Sequence, residues 1–226
     1  GGLGEPGNPG FLPTDHPFHV KVEQYEFNRR AANRLLDEAG YKRGAGGIRT
    51  GPDGKPLNFE MAVVPEVAPT VEVVIEQLKA LGIAIKLQPV DLFLLFSGKV
   101  KTPMTLQPHG GMRGDPDFMR VVFSSRYEKR FFAPKGYTNA ELDDLADRQQ
   151  QTLDEGQRKQ MVARMQEIVA ADLPYLHLYY PRPYTVFRKE VFDQWTSAQA
   201  AGPSSKDTYV TGTKAGGTEI RPIREG

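Results

Sequence analysis

The residues best equipped for chemistry sit in one stretch, Leu106-Gln-Pro-His-Gly-Gly-Met-Arg-Gly-Asp-Pro-Asp-Phe118. His109, Arg113, Asp115 and Asp117 are set there among Gly110, Gly111, Gly114, Pro108 and Pro116. Glycines let backbone come close to a bound molecule, and prolines fix the path of a loop. A charged loop after a strand is where an α/β domain commonly holds a small ligand. Residue types alone leave two uses open. Asp115 and Asp117 form a carboxylate pair for acid and base work, with Arg113 holding an anion. Alternatively they are turn and cap residues, with Asp117 capping a helix that begins at Phe118. Asp115 is then the better ligand contact, because the glycines before Arg113 leave room for something to approach.

Other reactive patterns are missing. There is no Gly-x-x-x-x-Gly-Lys-Ser/Thr loop, no Gly-x-Gly-x-x-Gly and no His-Glu-x-x-His. Gly-x-Ser-x-Gly is absent as well. The chain has no cysteine, which removes disulfides, thiol nucleophiles and thiolate metal sites. His16 and His19 lack further ligands nearby, so they are expected to be solvated loop histidines. His177 is expected to be a hydrogen-bonded core or edge residue. Neither a metal nor a cofactor is expected.

The elements that must position the loop follow from periodicity. A helix is predicted from Phe27 to Ala39, with Asn28 as its cap and Gly40 as its stop. Leu57, Phe59, Met61 and Val63 alternate with smaller or polar residues, which predicts a strand over 57–64. Val71, Val74, Ile75, Leu78 and Leu81 stripe a helix opened near Thr70 and closed at Gly82. Ile83, Ile85 and Leu87 alternate again, completing a strand–helix–strand unit of the parallel kind. A short apolar helix over 91–98 is expected to pack in the core, and 101–107 to return as a strand. Phe118 to Phe123 reads as helix. Thr138-Asn-Ala-Glu141 reads as a capping box, and Asp154 as the cap of a helix reaching about Ala171. Strands are predicted over 175–180 and 184–188. The opening 1–22, rich in glycine and proline, reads as irregular surface.

Bulk properties narrow the class. The 226 residues carry 29 basic and 28 acidic side chains, a net +1 that leaves no basic excess for nucleic acid. No run of about 18 apolar residues occurs to span a membrane. The start at Gly1-Gly2-Leu3-Gly4 reads as the interior of a longer chain.

Several separated pieces, in order, resemble the extracellular solute-binding proteins of ABC importers, in the peptide/nickel/opine class. They are Tyr25 to Tyr41 with its Leu-Leu-Asp-Glu-Ala-Gly-Tyr end, Gly54 to Glu60, and Ile75 to Ile83. Gly114-Asp-Pro-Asp-Phe118 with Ser124 and Ser125, Tyr137 to Asp143, Arg158, and Asp172 to Tyr179 complete the series. Where relatives often carry a tryptophan before the aspartate segment, this chain reads His109-Gly-Gly-Met-Arg113. The resemblance implies an α/β fold, the C-terminal lobe of a two-lobe binding protein with a mixed sheet flanked by helices. It divides the chain into an opening segment (1–22), a ligand-binding lobe (23–180) and a return with a loose tail (181–226).

The implied function is capture of a solute by hinge closure, with delivery to a membrane permease. The expected ligand is a short peptide, with a metal chelate, opine or sugar as alternatives inside the class. Asp115 takes the role of the aspartate that holds a peptide's α-amino group, and His109, Arg113, Gly114 and Asp117 are the further candidate contacts. The partners implied are the ligand, the permease subunits and the N-terminal lobe of the same protein. The implied location is the periplasm or outer face of the cell membrane. Membrane association comes only through the transporter or an anchor. A hydrolase using Asp115 and Asp117 is the rival from another class.

Overall fold

A computed structural model describes residues 4–44, 46–97, 99–108, 114–127 and 136–181, with 188, 197–198 and 202–203. In chain order its principal elements are β1 (Gly4–Pro6), α1 (Arg29–Glu38), β2 (Lys42–Arg43), β3 (Arg49–Thr50) and β4 (Asn58–Val63). Then come α2 (Ala68–Ala80), β5 (Ala84–Pro89), α3 (Leu92–Phe96) and β6 (Met104–Leu106). Last are α4 (Phe118–Phe123), α5 (Ala140–Gln151), α6 (Glu155–Asp172) and β7 (Tyr179–Pro181). Two compact units result. One takes Gly1–Gln24, Gly110–Glu128 and Ala133–Gly226, and the other takes Tyr25–His109 with Lys129–Phe132. The division thus separates 114–180 from the sheet, where the sequence reading grouped 23–180 as one lobe.

The middle unit is built on a parallel sheet in the order β5-β4-β6. Met61 of β4 pairs with Leu87 on one side and Met104 on the other. The strand–helix–strand unit is therefore present as predicted, and the third strand joins it. Ala62 and Val64 pack with Val90, Leu95 and Val100. Burial along β4 runs Met61-Ala62-Val63 without a gap, so both faces of its end are covered and simple alternation fails there. Asn28 caps α1 as expected, accepting from the Ala31 N–H at 2.9 Å. Asp91 caps α3 in the same way, but Phe93 of that helix is 87% exposed, so its core role falls to Leu95.

Arg49 anchors this unit and is fully buried. Its Nε donates to Leu81 O at 2.8 Å, and its Nη2 to Asn33 Oδ1 at 2.8 Å. Its Nη1 serves Asp37 and the Tyr41 carbonyl. Gly82 makes room for it: φ is +86°, and a side chain there would meet Arg49 Cγ at 2.8 Å.

The other unit has its own core. Phe11 and Leu12 are buried with Met119, Val122, Phe123, Leu142, Val162, Met165 and Val169. The opening segment has the irregular, turn-rich backbone expected of it, but it is not all surface, because Phe11 and Leu12 are buried. β1 pairs antiparallel with β7, Glu5 opposite Tyr180. The strand predicted from Tyr175 is shorter than expected and begins at Tyr179. His177 instead stands among rings, 4.9 Å from Phe11 and 6.2 Å from Tyr180 between centroids. α5 packs on α4 and on α6. Asn139, not Thr138, caps α5, accepting from Leu142 N–H at 3.1 Å. Glu141 turns outward to Arg164 instead of closing a capping box. Asp154 caps α6 as predicted. The strand expected at 184–188 lies, save Arg188, outside the described residues.

Candidate ligand-binding site

The Gly-Asp-Pro-Asp segment forms the approach to α4. Asp117 already has helical dihedrals, φ −57° and ψ −17°, and its side chain makes no capping bond. The capping contact comes two residues earlier, where Asp115 Oδ1 accepts from the Asp117 N–H at 2.8 Å. Pro116 between them restricts the turn to this path. The expectation that Asp117 caps the helix is therefore corrected. Its carboxylate is drawn sideways, to Arg120 Nε and Nη2 at 2.8 and 2.7 Å and to Gln149 Nε2 at 2.6 Å.

Asp115 points the other way. It meets Arg158 Nη2 at 2.5 Å and Nη1 at 3.2 Å. The Arg158 hydrogen bonds hold the Asp115 carboxyl below the ordinary carboxylate range, with partial burial working against them. Arg158 also donates from Nε to Gln149 Oε1 at 3.0 Å and lies over the Phe18 ring at 5.6 Å. The two aspartates thus belong to one chain of alternating charge joined through the buried amide of Gln149.

His16 fixes the opposite wall. Phe18 N–H donates to its Nδ1 at 3.1 Å, which leaves the proton on Nε2 to bond Gly114 O at 2.8 Å. His16 is only 6% exposed, so it is a positioning residue of the core and not a solvated loop histidine. Between these walls opens a cleft of about 410 Å³ lined by Asp15, His16, Pro17, Phe18, Gly114, Asp115 and Pro116.

Of the predicted contacts, the structure brings Gly114 and Asp115 to this cleft and turns Asp117 away from it. His109 and Arg113 lie outside the described residues. Phe18 and Gln149 are not singled out in the sequence, Arg158 enters only through the family resemblance, and His16 is noted beside His19 but expected to be solvated; each acts here across more than 30 positions of sequence. Both carboxylates are engaged by arginines, Asp117 by Arg120 and Asp115 by Arg158. Among the described residues no group of three histidine or carboxylate side chains gathers to hold a metal ion. No helix among them is long and apolar enough to cross a membrane.

The profile of the bacterial extracellular solute-binding proteins, family 5 (middle region), matches residues 1–130. The chain belongs to this family. Within it, the chain is 29% identical over 177 residues to the oligopeptide-binding protein AppA of Bacillus subtilis, covering 75% of this chain and 32% of AppA. The solved structure of AppA in complex with a nonapeptide matches with a TM-score of 0.64 at 28% identity, covering 80% of this chain and 37% of that one. An oligopeptide-binding protein from Thermus thermophilus complexed with a pentapeptide gives a TM-score of 0.68 at 24% identity, covering 88% and 37%. NikZ from Campylobacter jejuni with Ni(L-His) gives 0.66 at 20%, covering 79% and 37%. The fold is the mixed α/β fold of these solute-binding proteins, as the sequence resemblance implied. The chain spans about a third of the length of the curated relatives it matches.

Proposed function

We propose that the protein is the solute-binding component of an ABC importer, working outside the cytoplasm, and that its ligand is a short peptide. The observation that carries the reading is the family match, together with the 29% identity to an oligopeptide-binding relative. Capture proceeds by closure of two lobes, since a ligand that binds the closed state better shifts the population toward it. The permease subunits then receive the ligand from the closed form. In this reading Asp115 accepts the peptide's α-ammonium. Its carboxylate is ionised, oriented and at the edge of a cleft, and a charge-assisted bond is what a partly desolvated ammonium requires.

The test is native and then denaturing mass spectrometry of the full-length protein purified without refolding. Released masses of a few hundred daltons that fragment as peptides are expected. A released metal chelate, opine or sugar would replace the peptide, and an empty protein unshifted in Tm by peptide pools would sink the reading. At the level of residues, Asp115→Asn is expected to weaken peptide binding about tenfold or more. Unchanged affinity would remove Asp115 from the site.

A further inference from the structure

The long helix α6 holds the Gly-Asp-Pro-Asp segment at two places, once directly and once by relay. The direct hold is on the turn. Arg158 grips Asp115 at 2.5 and 3.2 Å, and its Nε donates to Gln149 Oε1 at 3.0 Å. Gln149 Nε2 donates in turn to Asp117 at 2.6 Å, so residues 115–117 form a fixed mount. The relay runs through the opening segment. Gln166, fully buried in α6, donates to Phe18 O at 2.7 Å and accepts from Val20 N–H at 3.2 Å. Arg158 and Lys159 lie over the Phe18 ring at 5.6 and 5.5 Å. Phe18 N–H then donates to His16 Nδ1 at 3.1 Å, and His16 Nε2 donates to Gly114 O at 2.8 Å.

We infer that His16 is a positioning residue for ligand binding: its Nε2–H locks the peptide plane between Gly114 and Asp115 and so sets the edge of the cleft. This rests on the peptide-binding reading, with Gly114 as part of the wall, and needs no ligand contact from the Asp115 carboxylate. Gly114 has no side chain to be held by, and glycine ranges over both halves of φ space. The plane between it and Asp115 is rigid in itself, so one contact on the Gly114 oxygen fixes its orientation. Without that contact the plane turns about its two flanking bonds while the Asp115 side chain stays on Arg158. A wall ordered in advance binds more tightly than one the ligand must order. Fixing the backbone of one residue corresponds to about five- to thirtyfold in affinity.

The imidazole suits the task because its two nitrogens serve different segments. Nδ1 takes a hydrogen bond from Phe18 within the opening segment, and Nε2 gives one to Gly114, 98 positions away. The ring is buried, so bulk water does not compete for either bond. The backbone N–H of His16 bonds Pro13 O at 3.0 Å, which pins the root of the side chain. His19, three positions on, has no such role, because its Nδ1 is spent on Asn8 and Leu12 at 3.0 and 3.1 Å. The two bonds of His16 are therefore separable: one belongs to the opening segment alone, and the other reaches the wall of the cleft.

The experiment separates the two nitrogens in the full-length protein. His16→Asn keeps an acceptor near the place of Nδ1 but is too short to reach Gly114. His16→Gln keeps a donor near the place of Nε2 but offers nothing to Phe18. Each variant loses one hydrogen bond, so Tm is expected to fall about equally in both. Affinity for an isotope-labelled random tetrapeptide pool is measured by equilibrium dialysis. His16→Asn is expected to bind about five- to thirtyfold more weakly than wild type, and His16→Gln to recover affinity to within about twofold. Where the Asn variant does not fold, His16→Met, which fills the space of the ring without a donor, takes its place with the same loss expected. Equal affinities in the donor-free and Gln variants, or a Gln variant that binds more weakly, overturn the inference and leave the peptide reading intact. A wild type that retains none of the pool overturns that reading and the inference with it.

Discussion

The α-carbon of Gly7 rests against the main chain of His177, so that a methyl group built on it would stand 1.8 Å from the His177 carbonyl oxygen. Gly7 N–H donates to Leu178 O at 3.1 Å, which holds the two backbones together. The neighbouring His177 ring is packed between aromatic rings and cannot shift cheaply. Gly7→Ala is expected to cost about 3 kcal/mol, by overpacking against backbone. Gly46 offers the contrast, because a methyl there meets nothing within 4 Å. Gly46→Ala should change stability by less than about 0.5 kcal/mol. Urea midpoints of the two variants check both statements.

Arg49 gives a second expectation. Removing it leaves the carbonyls of Tyr41 and Leu81 without this donor, and leaves Asn33 Oδ1 with Arg43 alone. Arg49→Met should destabilise the protein by about 2–4 kcal/mol in urea unfolding. Arg49→Lys should recover little of this, because one ammonium cannot reproduce the planar fork.

A third expectation concerns the buried amide. In Gln149→Glu a carboxylate oxygen replaces the nitrogen that now donates to Asp117 at 2.6 Å. Two carboxylates in contact raise the pKa of one of them. Stability relative to wild type is thus expected to be lost at pH 7, by about 2 kcal/mol, and regained as pH falls and the new carboxyl takes a proton. A deficit independent of pH between 4 and 7 would contradict the orientation assigned to Gln149.

The ion pair at the cleft predicts a pH dependence of known sign. Asp115 is lowered in the folded protein by Arg158, so its contribution is present above the unfolded value of about 3.9 and fades as pH falls through the lowered folded one. The carboxylate is largely exposed, so solvent screening keeps the contribution to about 1 kcal/mol at most. The stability difference between wild type and Asp115→Asn should therefore be measurable at pH 7 and shrink as pH falls below about 4.

Much of the architecture was legible because it is local. Asn28 and Asp154 cap helices through side chains three residues from their targets, and a sequence window contains both partners. The βαβ pattern of 57–89 is likewise a matter of period. The cleft was only half legible. Gly114 and Asp115 stood out by residue type, but their partners His16 and Arg158 lie 98 and 43 positions away. Asp117 and Asp115 look alike in sequence, and only the arginines on either side send one inward and the other to the rim. The opening segment misled for a related reason. Its glycines and prolines do make turns, and the turns bury Phe11 and Leu12.

The way one unit is assembled also bears on how the chain acquires its structure during synthesis. The Asn8 N–H bonds the hydroxyl of Tyr180 across 172 positions, and that hydroxyl donates to Phe11 O at 2.9 Å. The sheet of the middle unit, by contrast, lies entirely within 58–106 and closes as soon as those residues exist. Loop closure between distant residues is slow, and surface waiting for its partner is exposed to wrong ones. Phe11 is thus made well before its partners: a growing chain carries it until Phe118 and Phe123 are made, and its carbonyl waits longer still for the Tyr180 hydroxyl.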